Sequence, residues 1–140
     1  EVAELPARKP RGAGEVVLVV DDEKSIRTVA CGTLERFGYR VLQACNGAEA
    51  VAIYAQQQQS ISVVLTDMAM PIMDGPALIT ALKAINPKVR VIASSGLASN
   101  GGVAKAISAG VADFVPKPYT ADALLAVLRQ VIDGKQPPAT

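Results

Sequence analysis

Hydrophobic and polar positions along this chain fall into two alternating rhythms. Short apolar runs stand at residues 16–20 (VVLVV), 40–44 (RVLQA), 62–66 (SVVLT), 89–93 (VRVIA) and 113–115 (DFV). Several are apolar throughout, which predicts parallel strands covered on both faces rather than strands with one wet face. Between them, apolar residues recur at helical spacing. Ile26, Val29, Ala30, Thr33, Leu34 and Phe37 predict a first helix closed by Gly38. Residues 46–59 predict a second, opened by Asn46, with Val51, Tyr54 and Ala55 inward and the glutamine run as its polar end. Leu78, Ile79 and Leu82 belong to a third helix over 75–84, and residues 98–109 form a weaker fourth. Thr120 caps a fifth, whose Leu124, Leu125, Val127, Leu128, Val131 and Ile132 make the most apolar helical stripe in the chain. Five β-α units in succession predict an α/β fold built on a doubly wound parallel sheet.

In such sheets ligands gather outside the carboxyl ends of the strands, so the strand-end residues are where chemistry is expected. The first strand runs into Asp21, Asp22 and Glu23, and the third into Thr66 and Asp67. The fourth ends in Ser94, Ser95 and Gly96, the fifth in Val115, Pro116, Lys117 and Pro118. Each has an ordinary alternative: Asp22 or Ser95 as a helix cap, Lys117 as a solvated surface charge. Together, three carboxylates on one rim need a cation, and an all-oxygen donor set suits Mg²⁺ better than zinc or copper. Mg²⁺ keeps several waters and shares its shell with phosphate, whose remaining oxygens a hydroxyl and a lysine can satisfy.

Composition narrows the field. With 140 residues, half of them hydrophobic and 19% charged, the chain can build one domain with a proper core. A formal net charge of +1 gives no global basic field for nucleic acid or an anionic membrane. The apolar runs are far shorter than the roughly 20 residues needed to span a bilayer. The chain has no histidine, which excludes Ser-His-Asp and Cys-His catalysis, histidine-ligated zinc and a phosphohistidine within it. Cys31 and Cys45 read as two small buried hydrophobes in a reducing compartment. Residues 1–14, with their prolines, glycines and basic cluster, read as a linker and 134–140 as a tail, leaving 15–133 as the domain.

VVDDE (19–23), LTDMAMPIMDG (65–75), SSG (94–96) and FVPKPY (114–119) resemble, in order, the motifs of the receiver domain of two-component signalling. The resemblance covers roughly residues 15–133 and implies the flavodoxin-like strand order 2-1-3-4-5. It implies that Asp67 is a phosphoacceptor, taking its phosphoryl group from a histidine kinase or a histidine phosphotransfer protein. It also implies Mg²⁺, with Mn²⁺ as a substitute, held by Asp22, Asp67 and the main-chain carbonyl of Ala69, and by Asp21 through a water. The phosphoryl oxygens would meet Lys117, the hydroxyl of Ser95 (Ser94 being the alternative) and main-chain N–H groups of Ala69 and Gly96. Lys117–Pro118 matches the family's cis peptide. Switching would move Ser95 toward the phosphate and turn the aromatic of the fifth strand inward. Here that aromatic is Phe114, which has no hydroxyl and can act by packing alone; a plain core residue is the alternative. Ala69 and Leu97 stand where family members differ, and neither can orient an attacking water, which implies slow loss of the phosphoryl group. Asp74 and Gly75 read as the start of the third helix.

Other readings are weaker. A phosphatase of the haloacid dehalogenase type needs a second acid two residues after its nucleophile, where this chain has Ala69. GLASNGG (96–102) has glycines spaced as in a P-loop, but Gly102 and Val103 replace the required lysine and hydroxyl. A non-phosphorylated module on the same fold would lose the acidic residues kept here. The expectation is a phosphoacceptor rather than a free-standing enzyme, a monomer or weak dimer without nucleic-acid or membrane contact of its own. Its expected location is the cytoplasm, either free or tethered to a membrane-bound sensor kinase. The absent initiator methionine, the linker-like approach to the first strand and the resemblance of DMAMPIMDG and SSGL to that subgroup favour the C-terminal receiver of a hybrid histidine kinase. A stand-alone single-domain response regulator is the alternative.

Overall fold

The computed structural model describes residues 12–68, 73, 75–95, 110–116 and 120–133. Five strands, β1 (Val16–Val20), β2 (Arg40–Ala44), β3 (Ile61–Asp67), β4 (Val91–Ser95) and β5 (Asp113–Pro116), form one sheet. All neighbours are parallel and the order is β2-β1-β3-β4-β5. The described helices are α1 (Lys24–Arg36), α2 (Gly47–Gln57), α3 (Gly75–Ile85) and α4 (Ala121–Ile132). The predicted helix over 98–109, the tail and residues 1–11 of the predicted linker lie outside the described residues.

The run VVLVV shows why the sheet is wound on both sides. Successive strand side chains point to opposite faces. Leu18 and Val20 join one core layer with Ala50, Tyr54, Leu78, Ile79 and Leu82. Val17 and Val19 join the other with Ala30, Leu34, Leu124, Leu125 and Leu128. α2 and α3 therefore cover one face and α1 and α4 the other, and a strand buried twice has no polar position to alternate with.

Helix ends follow from single residues. Asn46 accepts a hydrogen bond from the Glu49 N–H (2.8 Å), while the Glu49 carboxylate reaches back to the Cys45 N–H (2.6 Å). That N–H holds the Glu49 carboxyl below the usual range. Thr120 caps α4 through the Ala123 N–H, as its sequence position predicts. At the end of α1, Gly38 sits at φ +98°, and its N–H and that of Tyr39 bond to the carbonyls of Glu35 and Leu34. This paired closure requires a left-handed residue, which glycine adopts without steric cost.

Several positions depart from the sequence pattern. β4 starts at Val91 rather than 89, because the Val89 N–H and the Asn86 side chain close a turn after α3. At its other end it continues through Ser94 and Ser95, since parallel pairing with Asp67 and Pro116 outlasts the apolar run. Val29 is 57% exposed and Ala55 is exposed, not inward. The buried stripe of α1 is Ala30, Cys31 and Leu34, and Arg27 reaches the end of β1. In α2 it is Gly47, Ala50 and Tyr54, and Ala55, one residue further round the helix, falls outside it. Cys45 is exposed just beyond the edge strand β2, so only Cys31 behaves as a buried hydrophobe. Burial pushes the Cys31 thiol up to about 11, with Glu35 adding to the shift and Arg27 opposing it.

The last residues of the predicted linker are hydrogen-bonded to the domain. The Gly12 N–H donates to Phe37 O (2.7 Å) and the Gly14 N–H to Gly38 O (2.9 Å). Glu15 pairs with Arg129 of α4 (2.9 Å), which also binds Asp133 (2.5 Å). Burial pushes the Glu15 carboxyl up, but the Ala13 N–H and the Arg129 guanidinium outweigh it and hold the group below its ordinary value.

Candidate functional site

Register brings the strand-end residues to one rim. Val20 lies beside Ala44 on one side and Thr66 on the other, so one residue further Asp21 stands level with Asp67. Asp67 in turn pairs with Ser94, Ser94 with Val115, and Ser95 with Pro116. The carboxylates of Asp21, Asp22 and Asp67 each offer an oxygen, and these oxygens lie within 4.8 Å of one another. Asp21 and Asp67 are buried and Asp22 is exposed, so the cluster has a closed floor and a side open to water. Three anions at this spacing, all hard oxygen donors, fit a hard divalent cation of the Mg²⁺ type.

Asp21 is held from three directions. Its N–H donates to Ala44 O (3.2 Å), its carbonyl accepts from Arg27 Nη1 (2.7 Å), and its Oδ1 accepts from the Glu23 N–H (2.9 Å). Asp22 is not the helix cap, because the helix begins one residue later than that role requires. The cap position of α1 is Glu23, whose side chain makes no capping bond. Asp22 is therefore left on the rim, and no described residue donates to its side chain.

Behind Asp67, the Thr66 hydroxyl donates to the Asp67 carbonyl (3.0 Å) and the Ser94 hydroxyl to Thr66 O (3.4 Å). Ser94 is fully buried, and its hydroxyl reaches across to β3 through this bond. Ser95 is the last residue of β4, on the rim. Phe114 is partly buried and packs against the layer of α2 and α3. Ala69, Asp74, Gly96, Leu97, Lys117 and Pro118 lie outside the described residues. The apolar pattern gave no reason to single out Arg27. A signal was available, because a cation near a helix N-terminus opposes the helix dipole and needs an acceptor of its own.

A parallel sheet of this order defines a flavodoxin-like α/β domain, here with an acidic cluster of hard oxygen donors at its carboxyl rim. The family model for the response regulator receiver domain matches residues 17–129, and the chain belongs to that family. It is 34% identical over 118 residues to the chemotaxis protein CheY of Bacillus subtilis, covering 84% of this chain and 97% of that one. It is 30% identical over 117 residues to the sensor kinase CckA of Brucella abortus, covering 84% of this chain but spanning only 12% of that protein. Among solved structures, it matches the receiver domain of a sensor histidine kinase from Pseudomonas aeruginosa with a magnesium ion coordinated in its active-site cleft. That match has a TM-score of 0.79 and 28% identity, and covers 86% of this chain and 99% of the other. Among the described residues no helix is long and apolar enough to cross a membrane.

Proposed function

We propose that this chain is a signalling phosphoacceptor in which Asp67 receives a phosphoryl group from a phosphohistidine on a partner kinase or phosphotransfer protein. The observation that carries this reading is the buried Asp67 carboxylate at the strand rim, within 4.8 Å of the carboxylates of Asp21 and Asp22. In the transfer, a carboxylate oxygen of Asp67 forms the new P–O bond as the P–N bond to the partner's imidazole breaks. The imidazole keeps the bonding pair and takes a proton from solvent. Such a transfer depends on positioning and charge neutralisation more than on covalent help from the protein. Bound Mg²⁺ supplies that neutralisation.

In this reading Asp22, Asp67 and the Ala69 carbonyl hold the ion directly, and Asp21 holds it through water. Lys117 pairs with the phosphoryl oxygens, and Ser95 and the N–H groups of Ala69 and Gly96 bind the rest. Phe114, without a hydroxyl, answers by repacking against its core layer. The likeness to a kinase receiver supports an origin in a hybrid histidine kinase. The near-full-length match to CheY supports the second reading, a stand-alone regulator.

The test is incubation of the purified chain with Mg²⁺ and acetyl phosphate, followed by intact-mass measurement. A gain of one phosphoryl group, absent in Asp67→Asn and in chelator, is expected. No gain under any Mg²⁺ condition would overturn the phosphoacceptor role.

A further inference from the structure

We infer that Arg27 is a positioning residue for the acidic site, fixing the end of β1 so that Asp21 and Asp22 face Asp67. This rests on the metal-site reading above. Arg27 lies in the first turns of α1, where its charge opposes the helix dipole, and half-burial adds desolvation. Something at the rim must compensate. Its Nη1 donates to the Asp21 carbonyl at 2.7 Å, the short distance of a charge-assisted bond. Its Nε donates to Gln43 Oε1 of β2 at 3.4 Å. One guanidinium thus ties α1, the end of β1 and the edge strand together.

The residue it grips is also held by one bond across to the end of β2 and one local bond. The Asp21 N–H donates to Ala44 O, and its Oδ1 is engaged by the Glu23 N–H two residues on. With the carbonyl fixed as well, the peptide between Asp21 and Asp22 cannot rotate without breaking a bond to a charged donor. That peptide sets the direction of both carboxylates. Arg27 touches neither carboxylate oxygen in the described contacts, so it acts through the backbone. Loss of a hydrogen bond made to a metal ligand itself commonly weakens binding about 10–100-fold, and a bond one step further out, on the backbone that aims the ligands, belongs at the lower end of that range, about tenfold.

A simple cation near the site would have the opposite effect. Its removal would lessen repulsion of Mg²⁺ and tighten binding. The sign of the change therefore separates the two roles.

The test is Mg²⁺ titration by calorimetry of the wild-type chain, Arg27→Met and Arg27→Lys, with amide hydrogen exchange measured on the metal-free proteins. Arg27→Met should weaken Mg²⁺ binding about tenfold. Arg27→Lys, keeping one charged donor, should stay within about threefold of wild type. In the metal-free Met variant, the Asp21 and Glu23 amides should exchange faster while Leu65 in β3 is unchanged. Unchanged or tighter binding in Arg27→Met, or equal weakening in both variants, would overturn the inference. If the wild-type chain binds no Mg²⁺, the metal-site reading fails, and amide exchange still decides whether Arg27 fixes Asp21. If Arg27→Met does not fold, the Lys variant carries the comparison: exchange at Asp21 and Glu23 as slow as in wild type supports the inference, and fast exchange overturns it.

Discussion

Substituting Asp22 with asparagine should make the metal-free domain more stable, not less. Asp22 is exposed and no described residue donates to its side chain, so its loss removes no internal bond. Its carboxylate stands within 4.8 Å of those of Asp21 and Asp67. At that distance each pair repels by about 0.9 kcal/mol in bulk water and about 3.5 kcal/mol at an effective dielectric of about 20. Exposure places Asp22 nearer the lower figure. Asp21 remains adjacent in the unfolded chain, so part of that repulsion cancels, whereas the Asp67 contact exists only in the folded state. The net gain is about 1–2 kcal/mol at low ionic strength, falling by about half at physiological salt. For a domain of this size it corresponds to a rise in Tm of about 4–8 °C. Thermal unfolding by circular dichroism in chelator, at two salt concentrations, measures it. Adding Mg²⁺ should then reverse the order, because the wild-type site binds the ion more tightly and gains stability by mass action. An Asp22→Asn protein no more stable than wild type in chelator, or a gain indifferent to salt, would refute the reasoning.

Three further outcomes are expected. Gly38→Ala should cost about 1–3 kcal/mol in urea unfolding, because φ is +98° and a Cβ would lie 2.5 Å from the Gly12 carbonyl oxygen. The Glu15 carboxyl is depressed in the folded state, so its contribution is present above its unfolded value and lost as pH falls through the folded one. The stability difference between wild type and Glu15→Gln, about 0.2–1 kcal/mol near neutral pH, should therefore vanish in acid below the usual carboxylate range. Finally, with Ala69 and Leu97 unable to orient water, the phosphorylated chain should lose its label over minutes or longer; decay in seconds, followed by mass, would contradict this.

The apolar runs were legible because burial on both faces leaves a strand no polar positions, and VVLVV has none. Helix boundaries were legible where one residue performs the closure: Asn46, Thr120 and Gly38 each cap or end a helix as the sequence implies. The acidic residues and their order along the chain were also visible, since carboxylates at the ends of apolar runs are conspicuous. The ends of β4 were less legible, because hydrogen bonding continued through two serines after hydrophobicity stopped.

By itself, then, the sequence determined the alternation of strands and helices, the doubly wound class and the set of acids bound for one edge. Tertiary structure alone decided how those acids stand. The register between β1 and β3 sets Asp21 level with Asp67, and a shift of one residue would turn the carboxylate to the other face. The rotation of α1 depends on which stripe packs best on the sheet, and that packing exposes Val29 and brings Arg27 to the Asp21 carbonyl. Such choices depend on contacts between residues far apart in the chain, which no local pattern encodes.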